Sequence, residues 1–227
     1  MLTLIFIEFK KLKRSKIMYI SICTLFLFSL CASIQSLTAA YSAERIMKQT
    51  LAYGTFLIIP ALLSLIGSYI ISRETQDDTM KSLVMIPIKY NILVAAKLTT
   101  TLIIGICLSL LLFSFILIIQ VVIHTDQITA ALVLTNLINY LLQGIGCFMA
   151  VSPIISFMTI FKNGHWLSII FTEIYSLAGL FAASSKYRSV YSISAVFGFS
   201  RTSVITRTEY LICCLSLLGS VLIAWLI

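Results

Sequence analysis

The sequence predicts an all-α integral membrane protein with six transmembrane helices, and three observations carry that prediction. Four runs of 24 residues or more contain no charged side chain: 17–43, 49–72, 98–123 and 127–161. A helix of about 20 apolar residues is enough to cross the hydrocarbon core of a bilayer, whereas a soluble core helix of that length would show a polar face at every turn. Two shorter stretches complete the set: 166–185, apolar apart from Glu173, and 210–227, which is uncharged. Hydrophobic residues make up 60% of the chain and charged residues 11%, which leaves no room for a separate soluble domain. Backbone polar groups in lipid must be satisfied within the segment, so the spans are helices. The segments of about ten alternating residues that would build a membrane β-barrel do not occur.

Taken in order, residues 1–16 are expected to form an amphipathic elbow helix lying in the membrane interface. Leu2, Ile5, Phe6, Phe9 and Leu12 fall on one stripe at helical spacing, and Glu8, Lys10, Lys11 and Arg14 fall opposite. Such a helix keeps its apolar face down and its cations among the headgroups. Its charged block lasts to Lys16 with no small-residue cleavage site soon after the first apolar run, unlike a cleaved signal peptide. The spans are placed at 17–40, 51–72, 92–123, 129–160, 166–185 and 210–227, in a single transmembrane domain over 1–227. Pro153 in the fourth span predicts a kink there.

Residues 73–90, RETQDDTMKSLVMIPIKY, are the longest polar stretch on their side of the membrane. Glu74, Asp77 and Asp78 open it, which suits the positive end of a short helix. Leu83, Val84, Met85 and Ile86 then form an apolar patch that Pro87 ends. That patch has no reason to face water and should touch membrane or a partner protein. The external loop 186–209 is too polar to span, yet it carries Tyr187, Tyr191, Val196, Phe197 and Phe199. Short helices dipping into the outer interface, with rings at headgroup depth, would satisfy that mixture.

Orientation follows from the basic residues. Lys10, Lys11, Lys13, Arg14, Lys16, Arg73, Lys81, Lys89, Lys97 and Lys162 flank one side, against Arg45, Lys48, Lys186, Arg188, Arg201 and Arg207 on the other. The positive-inside rule therefore places both termini in the cytoplasm. The net charge of +8 is scattered along membrane edges, so its expected partner is anionic lipid and not nucleic acid. All six cysteines fall inside spans and read as small packing residues, not as a disulfide or metal framework.

Enzymatic chemistry is not expected. The phosphate loop G-x-x-x-x-G-K-[ST], H-E-x-x-H, G-x-S-x-G and C-x-x-C are all missing from the sequence. His124 and His165 flank turns at opposite membrane faces and cannot share a metal or a triad. Catalytic and metal-binding residues are accordingly expected to be none. Inside the membrane, Glu173 lies about 10 Å past Trp166. An acid there faces a cavity or a partner, as a cation relay, a substrate anchor or an interhelical hydrogen bond. Asn136, Asn139 and Gln143 form a polar stripe in the fourth span, of the kind that joins helices. With Glu173 they are the candidate translocation path.

The EFKKLKRSK stretch, the long first span and the acidic segment together resemble an ABC-2 type permease, the membrane subunit of an ABC exporter. In that family the loop after the second span reads E-x-x-D-G-T, then L-x-x-x-P and a basic residue. Glu74, Asp77, Asp78, Thr79, Leu83, Pro87 and Lys89 occupy those places, with Asp78 where glycine is common. The resemblance implies that 73–90 is a cytoplasmic coupling loop whose coupling helix docks on an ABC ATPase, itself a separate chain present as a dimer. It implies no cofactor on this chain, with ATP and Mg on the partner ATPase. One six-helix chain has half a pathway, so a second permease, identical or a related paralogue, is also implied. The cargo implied is a peptide or amphipathic compound, as in lantibiotic-immunity and bacitracin-resistance permeases. Two other transport readings are an ion-coupled secondary transporter built around Glu173, and an exporter of a lipid-linked saccharide or small drug. A membrane enzyme would need more carboxylates beside Glu74, Asp77 and Asp78 than the sequence supplies.

Overall fold

The computed structural model describes residues 2–13, 15–39, 41–76, 90–158, 161, 164–185, 187–200 and 206–226. Among these the fold is helical throughout, without a strand. The helices are α1 (Leu2–Lys13), α2 (Lys16–Ala39), α3 (Ala43–Tyr53), α4 (Ile59–Gln76), α5 (Tyr90–Ile123), α6 (Ala130–Met158), α7 (Gly164–Ala183), α8 (Ser192–Phe199) and α9 (Arg207–Leu226). A π-helical turn, Gly54–Ile58, joins α3 to α4. Six segments are long and apolar enough to cross a membrane: Lys16–Gln35, Ala43–Arg73, Ile92–Ile123, Ala130–Met158, Trp166–Ala183 and Arg207–Leu226.

The second span is the centre of the bundle. Of its apolar window 67% is buried, against 22% for the first, fifth and sixth spans. Leu51, Ile59, Leu63 and Ile66 from this span pack with Leu108 and Leu112 of α5 and Tyr140 of α6. Its helix begins at Ala43, eight residues before the position expected from hydropathy. The extension is amphipathic: Ala43, Ile46 and Met47 are buried, Lys48 pairs with Glu44 at 2.6 Å on the exposed face, and the Ala43 amide donates to Gln127 Oε1 at 3.0 Å. Charged residues at the end of a span are helical here without being hydrophobic.

Spans three and four meet where small residues let their backbones approach. Gly144 of α6 sits so close to α5 that a Cβ there would lie 2.8 Å from the Gly105 carbonyl oxygen and 3.0 Å from the Ile106 Cα. This is the small-residue contact by which membrane helices gain van der Waals packing without a hydrophobic drive.

At the N-terminus, α1 packs on α5. Leu12 is buried and Phe9 half-buried, but Phe6 is 71% exposed, so the predicted apolar stripe divides between the bundle and the outside. Glu8, expected opposite, is instead largely enclosed, with 12% side-chain exposure, and pairs with Lys11 at 3.3 Å. Of the short helices expected before the last span, α8 is the one among the described residues. Ile193, Ala195 and Val196 are buried, so this helix packs into the bundle beside α6 and α9.

Candidate functional site

The most distinctive construction in the bundle is a break in the second span, and proline explains it. Pro60 has no N–H to give, so the carbonyls four and five residues earlier, Phe56 and Thr55, lose their helical donor. The chain responds with the π turn, in which the Ile59 amide reaches back five residues to the Gly54 carbonyl. Neighbouring helices supply the missing donors. Ser176 Oγ of α7 donates to the Phe56 carbonyl, and Cys147 Sγ of α6 lies 4.0 Å from that of Thr55.

Two further side chains of α6 clasp the turn above the break. Gln143 Nε2 donates to the Leu51 carbonyl and to Thr55 Oγ1, each at 3.0 Å, and Tyr140 Oη donates to the Met47 carbonyl at 2.9 Å. Both side chains are fully buried. Gly54 makes room for them: a Cβ there would fall 3.1 Å from Gln143 Nε2. From the other side the Phe197 ring of α8 stacks on Phe56, with centroids 4.7 Å apart. Three different elements thus converge on one turn of the second span.

Below the break, small hydroxyl residues spaced by four continue the contact. Ser168 Oγ of α7 donates to the Ser64 carbonyl at 2.9 Å and lies 2.9 Å from Ser68 Oγ. Ser168, Thr172 and Ser176 on α7 therefore run antiparallel to Phe56, Pro60, Ser64 and Ser68. The spacing brings Thr172 level with Pro60, and Thr172 Oγ1 is buried without a hydrogen-bond partner. The same device recurs in the fourth span. The helix runs unbroken through Pro153, and the Met149 carbonyl, which the proline deprives of its donor, accepts from Ser152 Oγ at 2.9 Å and from Ser220 Oγ of α9 at 2.6 Å.

The residues singled out in the sequence fall in different places. Gln143 is at the clasp. Asn136 and Asn139 are buried on the same helix, where Asn136 Nδ2 donates to the Leu132 carbonyl within its own helix and Asn136 Oδ1 has no partner. Glu173 is half-buried on α7 beside the Thr172 and Ser176 positions, and its Oε1 is enclosed without a partner. No hydrogen bond among the described residues joins Glu173 to Asn136, Asn139 or Gln143. Glu74 lies in the last turn of α4, with its side chain outside the described residues. Asp77, Asp78, Thr79, Leu83 and Pro87 lie outside the described residues altogether. Lys97 of α5 is nearly completely buried and donates to the Ile71 carbonyl at 3.4 Å, close to where the second span ends. Among the described residues, no three acids, histidines or cysteines come together as a metal would require.

Sequence reasoning missed Pro60, Ser64, Ser68, Ser168 and Ser176. The available signals were a proline six residues after a glycine within an uncharged run, and hydroxyl residues at four-residue spacing in the second and fifth spans.

Comparison with known proteins agrees with the architecture. The model for ABC-2 family transporter proteins matches residues 4–179, which include most of α1, the π turn, Tyr140, Gln143, Cys147 and Ser176. The chain is 30% identical over 145 residues to the bacitracin transport permease protein BCRB of Bacillus licheniformis, covering 64% of this chain and 69% of that one. No solved structure matches. A helical bundle with six candidate spans and a family match over most of its length leads to one conclusion: the chain belongs to the ABC-2 transporter family and is a multi-pass membrane permease of an ABC transporter.

Proposed function

We propose that this chain is the permease subunit of an ATP-driven exporter that moves a peptide or amphipathic compound out of the membrane or cell. A separate ABC ATPase binds the ATP and Mg, and a second permease, a copy or a paralogue, completes the pathway. Both termini lie in the cytoplasm, with 73–90 as the coupling loop and 186–209 outside. The name of the Bacillus licheniformis relative supports an amphipathic peptide as cargo. The observation that carries the mechanism is continuity. The helix whose last turn holds Glu74 is the same span that is broken at Pro60. A push on the coupling loop by closing ATPases is delivered along α4 to the π turn, where α6, α7 and α8 hold the span. Glu74, Asp77 and Asp78 set the register of docking by charge, with the Thr79 hydroxyl beside them, and Leu83 to Pro87 supply buried area.

The test is affinity purification of the tagged chain from its native membrane, with export assayed in parallel. Glu74→Lys combined with Asp78→Lys is expected to lose both a stoichiometric ATPase and export, while membrane insertion is unchanged. Retention of the ATPase with full export would overturn the coupling assignment.

Glu173→Gln separates this reading from an ion-coupled carrier. An ATP-driven permease needs no titratable relay, so the variant is expected to keep export within about twofold, a change of under about 0.5 kcal/mol in barrier. Loss of export together with loss of a proton flux in vesicles would favour the carrier, with Glu173 as its relay.

A further inference from the structure

We propose that Lys97 is a positioning residue that fixes the end of the second span to the start of the third, so that the two stems of the coupling loop move as one body. The proposal rests on the reading of 73–90 as that loop and says how its motion enters the bundle. Burial carries it. Lys97 lies near the start of α5, which begins at Tyr90, and only 3% of the residue is exposed. A lysine near a membrane edge ordinarily snorkels, laying its stem along apolar surface and keeping its ammonium among water and headgroups. Ile92 and Thr99 mark the exposed face of this part of α5. Lys97 lies on the opposite face with Ala96, Thr100 and Thr101, all buried. It turns inward, and its Nζ donates to the Ile71 carbonyl of α4 at 3.4 Å.

The neighbouring turn makes this contact part of a joint. A Cβ on Gly67 of α4 would lie 3.0 Å from Thr101 Cγ2 of α5 and 2.7 Å from Ile155 Cδ1 of α6. Gly67 and Ile71 share one face of α4, and Thr101 and Lys97 share one face of α5. Two successive turns of an antiparallel pair therefore meet, one by close packing and one through an amine. The choice of an amine is informative. An apolar side chain would fill the space without the cost of burying a polar group, and would leave the two helices free to slide. A donor aimed at a backbone carbonyl fixes one register, and that carbonyl keeps a second lone pair for its own helix. With this tie, a displacement at the loop moves α4 and α5 together and reaches the break at Gly54–Ile58. Without it, the displacement is spent at the end of α4.

The experiment uses the full chain with its co-purified ATPase in phospholipid nanodiscs and needs no cargo. Spin labels are placed at Tyr53→Cys, beyond the break, and at Ile92→Cys, at the start of α5, both exposed positions. The native cysteines are replaced by serine. Pulsed electron spin resonance then reads the distance between the labels before and after the ATPase is trapped with ADP and vanadate. Trapping is expected to shift that distance in the chain with Lys97. Lys97→Met, which keeps the length and removes the donors, is expected to trap nucleotide normally and lose most of the shift. Lys97→Arg, which keeps charge and donors, is expected to retain it. Lys97→Gln, too short to reach the Ile71 carbonyl, is expected to match Lys97→Met, so the test does not hang on one variant inserting. A lysine that only stabilised the fold would lower yield or melting temperature and leave the shift intact in the molecules that fold. A full shift in Lys97→Met or Lys97→Gln overturns the positioning role and leaves the coupling reading standing. A chain with Lys97 that retains no ATPase, or shows no shift with nucleotide trapped, overturns the coupling reading and this inference with it.

Discussion

Pro60→Ala is expected to lower transport at least about tenfold, the equivalent of about 1.4 kcal/mol in barrier, without lowering the thermal stability of the purified protein. The two halves of this result come from one atom. Alanine restores an N–H at position 60, which can donate to the Phe56 carbonyl, so the second span can run as a regular helix. A proline inside a helix costs roughly 3 kcal/mol relative to alanine, so the substitution stabilises the isolated span. What it removes is the one turn at which α3 and α4 are joined by backbone groups that other helices satisfy. A continuous helix moves as a rod, and a displacement at Gln76 no longer bends the span at Gly54–Ile58. Ser176 provides the internal check. With Pro60 present, Ser176→Ala strands the Phe56 carbonyl and is expected to cost about 0.6–2 kcal/mol, the span of values for interhelical hydrogen bonds in membranes. With alanine at 60, the same substitution is expected to cost much less, because the carbonyl has its own helix donor. Thermal unfolding of the four proteins in the cycle measures the coupling directly. Full export from Pro60→Ala would reduce the break to a packing feature, and additive effects of the two substitutions would remove the clasp argument.

The six spans are legible in the sequence because lipid is an unforgiving solvent: a charge inside it is expensive, so its absence over 24 residues is informative by itself. The same logic fails at the ends of spans. Glu44, Arg45 and Lys48 lie on the exposed face of a helix whose other face, Ala43, Ile46 and Met47, is buried, and a run counted by absence of charge stops before such a turn. Glu74, Asp77, Asp78, Thr79, Leu83 and Pro87 stand out only as a motif, and all but Glu74 lie outside the described residues. Gln143 stood out as part of a polar stripe, but its partners are the Leu51 carbonyl and a threonine hydroxyl some ninety positions away. A sequence labels side chains and leaves backbone carbonyls unmarked: asking which carbonyls Pro60 deprives leads to Phe56 and Thr55, but nothing marks Leu51 as the carbonyl that Gln143 reaches. Ser176 and Ser168 illustrate the difficulty further. Serines commonly bond their own helix, as Ser152 does to the Met149 carbonyl, and nothing in their identity says which will reach across to another. The amphipathic helix α1 was legible as a helix, yet the side of it that meets α5 was set by packing, which placed Glu8 inward and Phe6 outward.

Gly144→Ala is expected to force α5 and α6 apart, and Gly219→Ala to change almost nothing. Both glycines lie inside helices and both gain helix propensity from alanine, about 1 kcal/mol, so propensity alone predicts that both substitutions stabilise. Space decides otherwise. At Gly219 a Cβ meets nothing within 4 Å. At Gly144 the new methyl would run into Ser109 Oγ and lie 2.8 Å from the Gly105 carbonyl oxygen and 3.0 Å from the Ile106 Cα. A hydroxyl can rotate away, but a carbonyl and a Cα belong to the backbone of α5, so relief requires the two helices to separate. Overpacking of this kind costs about 1–3 kcal/mol or more, which exceeds the propensity gain. Separation also disturbs the clasp, because Gln143 is the residue next to Gly144 and its reach to Leu51 is fixed by the same crossing. Gly144→Ala is therefore expected to lower the melting temperature and export together, with Gly219→Ala matching the native protein in both. Ser109→Gly is expected to rescue Gly144→Ala only in part, since it removes the nearest atom and leaves the α5 backbone in place. Complete rescue would show that the hydroxyl alone set the spacing, and an unchanged Gly144→Ala would mean that spans three and four do not cross this closely in the membrane.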